Sequence, residues 1–162
     1  MIIPDWIIQL VTAFTGALGF AVLFNVQSAR LFWAGLGGLI GWAAYLALGE
    51  WYQSDVIRFF LASACFTMYA DPLARLKKTP TTVFMVPAAI PMVPGASLYR
   101  SMSFAVSGQW SAFAQQILYT LLLAAAIAAG IVCAMTLLHI IRMLMRGVRR
   151  AGAARAQNKA TH

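Results

Sequence analysis

Apolar residues run along this chain in blocks of membrane length, and polar and charged residues gather at the joints between them. A hydrocarbon core about 30 Å thick takes roughly 20 apolar residues of helix to cross. Five blocks approach or meet that length, at about 4–25, 31–49, 54–71, 80–107 and 111–141. The pattern predicts an all-α integral membrane protein with five transmembrane helices. The fourth block differs from the others. Its stretch VPAAIPMVPGASLYR, residues 86–100, carries Pro87, Pro91, Pro94 and Gly95, and then a charge, Arg100. Proline removes a helix hydrogen bond and its ring crowds the preceding turn. The fourth helix is therefore expected to break there and to restart at Gly95.

Composition agrees with a membrane protein. The chain is 62% hydrophobic and 10% charged, with a mean hydropathy of +0.78, whereas a soluble domain is about a quarter charged. The net charge of +8 alone would allow a nucleic-acid partner, but no aromatic or binding motif accompanies it. Its distribution follows membrane topology instead. Ten of the twelve Lys and Arg fall on one side of a five-span arrangement: Arg30, then Arg75, Lys77 and Lys78, then Arg142, Arg146, Arg149, Arg150, Arg155 and Lys159. Asp5, Glu50, Asp55 and the 107–109 turn fall on the other. The excess of cations on cytoplasmic loops places the N-terminus outside and the C-terminus in the cytoplasm. A fourth segment that dipped in and returned would send the last helix outward with six tail cations, so a broken helix that crosses is expected. Residues 1–141 then form the transmembrane domain. Residues 142–162 form a basic cytoplasmic tail, expected to be a frayed helix end and a disordered extension with weak attraction to anionic lipid.

Catalytic chemistry is not legible. Cys65 and Cys133 lie inside apolar runs and read as packing residues. His139 reads as an interfacial histidine, and His162 is too far along the tail to complete a metal site with them. There is no phosphate loop and no Ser-His-Asp pattern, so neither an enzyme nor a cofactor is expected. The N-terminus has no basic leader or small-residue cleavage site. Trp6, Trp33, Trp42, Trp51 and Trp110 lie mostly near span ends, where tryptophan anchors at the interface.

Small residues recur at helix-packing spacing. Gly37 and Gly41 are four apart and flanked by Gly35 and Gly38. Gly16 and Gly19 mark the first span, and Ala126, Gly130 and Ala134 the fifth. Such faces let backbones approach closely, and packing drives helix association in lipid. Their number implies neighbours beyond five helices. Asp55 and Arg58 share a helix face at the outer start of the third span. They read either as a local ion pair that reaches the interface or as a gate at an outer mouth.

The broken helix carries the sharper chemistry. Non-helical backbone in a bilayer survives only where protein or a wet cavity surrounds it, so the Pro91–Gly95 break should face a bundle interior. The helix restarting at Gly95 presents its first amides, with partial positive charge, and half-helix N-termini of this kind hold anionic groups in secondary transporters. Arg100 follows about 7–8 Å along the helix, on one face with Ser97 and Ser101, and Tyr99 adds aromatic surface. A guanidinium can grip a carboxylate with two hydrogen bonds. The alternative is structural: Arg100 caps freed carbonyls, pairs with an acid elsewhere or reaches the interface.

Three pieces, GFAVLFNV (19–26), GLIGW (38–42) and VPAAIPMVPGASLYRSM (86–102), resemble the threonine/serine exporter family. The match is to its small subunit, or to the C-terminal half where the family is fused, and extends over the chain to about residue 141. The resemblance implies a helical exporter of the bacterial inner membrane that works with a larger family subunit. Family substrates include threonine and serine, and a related two-subunit member exports succinate. The matching positions Asn25, Pro87, Pro91, Pro94, Gly95, Tyr99 and Arg100 carry over as candidate functional residues.

The resulting expectation is one half of a secondary exporter for small carboxylate-bearing metabolites, with Pro91, Pro94, Gly95, Ser97, Tyr99, Arg100 and Ser101 at the substrate and a higher oligomer allowed. An accessory subunit without substrate contacts and a homo-oligomeric channel are the alternatives. Transport would be secondary because no nucleotide-binding motif is present. No carboxylate stands well inside a span to support proton coupling.

Overall fold

The computed structural model describes the backbone of residues 4–160 and the side chains of residues 4–145. Every regular element among them is helical. In chain order these are α1 (Asp5–Leu23), α2 (Ser28–Leu48), α3 (Asp55–Leu76), α4 (Thr82–Ala89), a 3₁₀ turn (Ile90–Met92), α5 (Gly95–Val106) and α6 (Trp110–Ala160). Four helices, α1, α2, α3 and α6, are long and apolar enough to cross a membrane, and the bent pair α4–α5 makes up to five.

Helix ends are set by local chemistry. At the end of α1, Asn25 adopts φ 53°, its N–H bonds Val22 O, and the N–H of Val26 reaches back to Ala21 O. That is a Schellman cap, and asparagine is among the few residues that tolerate the left-handed conformation it needs. Gly108 closes α5 in the same way at φ 70°. Lys78 does so for α3 at φ 52°, although nothing in its side chain favours that conformation.

Two boundaries differ from expectation. The third helix continues through Pro72 to Leu76, five residues past the expected end at 71, so Asp71 lies within it. The last helix runs to Ala160, where a frayed and disordered tail was expected. Alanine and arginine are good helix formers, and the segment has no proline to stop it.

The core is built on small residues. Ala13, Ala17 and Ala21 bury one stripe of α1, and Ala34, Gly35, Gly37, Gly38 and Gly41 one face of α2. A Cβ at Gly38 would stand 2.5 Å from the Ala17 methyl, and one at Gly37 2.8 Å from Ala88. At Gly130 it would collide with Ser63 and with the Phe60 carbonyl. The expected packing roles on α2 and α6 are thus explicit. Gly16 and Gly19 behave differently: a Cβ at either would meet nothing within 4 Å outside its own helix backbone. Cys65 and Cys133 are exposed, so the packing role expected for them is not met within this chain. As small apolar side chains they suit a lipid-facing surface equally well.

Helix α3 is the most enclosed element, burying Phe59, Ala62, Ser63, Phe66, Thr67, Ala70 and Asp71 among others. It runs parallel to α6. Asp55 near its start meets Tyr119, its middle meets Gly130, and Asp71 near its end meets Arg142. The segment joining them therefore carries the chain from the end of α3 back to the side where α3 begins. Helix α2 is antiparallel to α1, with Gln9 beside Trp42 and Ala17 beside Gly38.

Candidate functional site

The break between α4 and α5 has a defined geometry. Helix α4 ends at Ala89, with Pro87 inside it and Pro91 in the following 3₁₀ turn. Val93, which precedes a proline, is extended at ψ 126°, as its ring neighbour requires. Pro94 then sits at φ −75° and ψ 58°, and the Gly95 N–H bonds Val93 O at 2.7 Å. This is an inverse γ-turn. The two helical pieces diverge by 51°.

Only the first side of the break faces the interior. Pro87 and Met92 are fully buried. Pro91 lies 3.2 Å from where a Gly38 Cβ would be, and with Gln9, Thr12 and Trp42 it lines a cleft of about 200 Å³. Beyond the turn, Gly95, Ala96, Tyr99 and Arg100 are exposed. The expectation that the whole Pro91–Gly95 break points inward therefore needs correction within this chain. Helix α5 packs chiefly on α6, which leaves its opposite face uncovered.

The serines and the arginine part company. Ser101 is buried, and its hydroxyl donates to Leu98 O at 2.7 Å. Ser97 turns toward α6, accepting from Gln116 Nε2 at 2.8 Å with its oxygen 2.7 Å from Thr120 Oγ1. Because the Thr120 hydroxyl donates to Gln116 O, the Ser97 hydroxyl is the donor to Thr120. Ser97 thus donates once and accepts once inside the chain. Arg100, three residues on, makes no hydrogen bond or ion pair among the described residues. Asn25 lies apart, at its helix cap.

Asp55 and Arg58 form the expected pair, Nη1 to Oδ1 at 3.0 Å. They also belong to a larger cluster. Tyr45 donates to Asp55 Oδ1 at 3.0 Å and Tyr119 to Oδ2 at 2.9 Å. Arg58 Nε and Nη2 each reach Tyr45 O at 3.3 Å, and the guanidinium lies 4.0 Å from the Tyr45 ring centroid. The cluster ties α2, α3 and α6 together at one end.

A second cluster closes the opposite end, and the sequence reading missed it. Asp71 is 2% exposed. It forms an ion pair with Arg142 of α6, takes Arg75 Nε at 3.4 Å and accepts from Thr81 Oγ1, just before α4, at 3.2 Å. A buried carboxylate toward the end of the third helix, paired across to α6, was not expected. Its signal was the acid at the last position of the 54–71 block, where a span end reads as interfacial. The described residues contain no group of three or more His, Cys, Asp or Glu able to hold a metal.

All-helical, with four or five membrane-length helices and its buried charges paired on helix seams, the chain is a multi-pass membrane protein. It belongs to the threonine/serine exporter family: the family model described as "Threonine/Serine exporter, ThrE" matches residues 9–137. That membership points to transport rather than catalysis. No solved structure matches the chain.

Proposed function

We propose that this chain is one subunit of a secondary exporter for small carboxylate-bearing metabolites, threonine/serine-type amino acids or a dicarboxylate, acting with a larger membrane subunit in the bacterial inner membrane. The observation that carries the reading is Arg100. It stands on a membrane-length segment, just after a helix restart, exposed and without a partner among the described residues. A charge in that setting is costly in lipid and is held where a cavity, a partner or a ligand meets it. The uncovered face of α5 is where the larger subunit would complete the site, with Gly95, Tyr99 and Arg100 facing the substrate.

Five crossings, with the N-terminus outside, fit the parallel course of α3 and α6 as well as the charge bias. The α4–α5 segment then crosses once, bent, and is not a re-entrant loop. A second reading, an accessory subunit without substrate contacts, is favoured by Ser97 and Ser101, whose hydroxyls are engaged inside the chain. Arg100 decides between the two. Arg100→Lys keeps the charge and loses bidentate geometry, so apparent affinity for internal substrate falls. Arg100→Ala falls further, about ten- to hundred-fold, as removal of charged hydrogen bonds of about 1.5–3 kcal/mol implies. Initial export rate against internal substrate concentration, at constant complex abundance, is the measurement. Unchanged affinity in a well-assembled Arg100→Ala complex refutes the carboxylate role.

A further inference from the structure

The Asp71 cluster borders a surface that its own ion pairs do not explain. Two guanidiniums, Arg75 and Arg142, meet one carboxylate, which leaves an excess of one positive charge. Arg75 spends only its Nε on Asp71, and its side chain is 54% exposed. Its two terminal nitrogens have no partner among the described residues. Beside both arginines is an open cleft of about 470 Å³ between the end of α3 and α6, walled by Leu76, Leu138, Ile141 and Met145. Leu76 is 79% exposed, Met145 is about half exposed and Ile141 is partly exposed. The cleft is thus cationic at its rim and apolar along its length.

We propose that this cleft is a binding site for an anionic phospholipid. The phosphate would take the free donors of Arg75 and Arg142, in the planar geometry that guanidinium offers phosphate. One acyl chain would lie along Leu76, Leu138, Ile141 and Met145. Basic pockets between transmembrane helices on the cytoplasmic side hold lipid headgroups by the same logic. A small soluble anion would satisfy the arginines and leave the apolar walls wet, so charge and hydrophobic surface are matched together only by a lipid. The proposal requires the chain to lie in a bilayer. It does not depend on what is exported.

Native mass spectrometry of the full chain in mild detergent tests it. Phosphatidylglycerol, phosphatidylcholine with the same acyl chains, and glycerol 3-phosphate are titrated separately. Phosphatidylglycerol is expected to remain bound, and the other two are not. Arg75→Gln raises its apparent dissociation constant about tenfold, the scale of one lost charged hydrogen bond. Lys159→Gln removes the same charge from the far end of the chain and leaves binding unchanged. Leu76→Ser weakens binding without altering charge, and it decides the question alone if Arg75→Gln does not fold. Equal phosphatidylglycerol affinity in the wild type and the folded cleft variants overturns the site. Equal retention of phosphatidylcholine does the same. Glycerol 3-phosphate held as tightly as the lipid overturns the lipid as occupant.

Discussion

Asp71, which is 2% exposed, forms its ion pair with Arg142 across the seam between α3 and α6. A buried carboxylate without a counter-charge is strongly unfavourable, and breaking such a pair on one side costs about 3–5 kcal/mol. Arg142→Ala should therefore lower stability by about that amount, less whatever Arg75 and Thr81 recover. Asp71→Asn combined with Arg142→Gln should be milder than Arg142→Ala alone, because no unpaired charge is left. Unfolding of the purified chain in detergent checks the order. If Arg142→Ala is as stable as the double variant, the ion pair does not hold α3 to α6. Asp55 and Arg58 are three apart, so their pairing could be read from helix periodicity alone. Asp71 meets Arg142, and Asp55 meets Tyr119, only because α3 and α6 run side by side in the same direction. No local pattern encodes that. Cys65 and Cys133 show the complementary limit: an apolar run in a membrane helix does not say which face meets protein and which meets lipid.

At the scale of elements, helix positions and the site of the break were legible because hydrophobic length and proline chemistry are local. The small-residue faces were legible as a class, but not in their partners. On α2, Gly38 is enclosed by Ala17 and Pro91. Gly38→Val therefore forces α1 and the 3₁₀ turn outward, a loss of about 1–3 kcal/mol or more from overpacking. Gly16 and Gly19 meet open space. Gly16→Val and Gly19→Val should leave the stability of the isolated chain nearly unchanged while weakening its association with a larger partner. Thermal unfolding of the chain and co-purification with the partner separate the two effects. A melting loss at Gly19 equal to that at Gly38 contradicts the packing described. Prolines announce that a helix must break, but no local pattern gives the 51° bend or the packing of α5 on α6.

For the whole molecule, the parallel course of α3 and α6 fixes the route of the chain between them, and the proposed direction across the membrane rests on the cation bias. Single cysteines in a background lacking Cys65 and Cys133 test both. Gln53→Cys and Ser107→Cys should react with an impermeant thiol reagent in intact cells, and Lys78→Cys and Arg155→Cys should react only after permeabilisation. Labelling at 155 from outside removes the five-crossing arrangement. If this chain is half of an exporter, as proposed, reconstitution reveals it. The chain, the proposed larger subunit and the co-purified pair are placed separately in proteoliposomes loaded with threonine, serine or succinate, and efflux is followed. Efflux of at least one of these carboxylates is expected from vesicles holding the pair, with background rates from either protein alone. Robust efflux from this chain alone, or equal efflux from the larger subunit with and without it, rules out the two-subunit exporter.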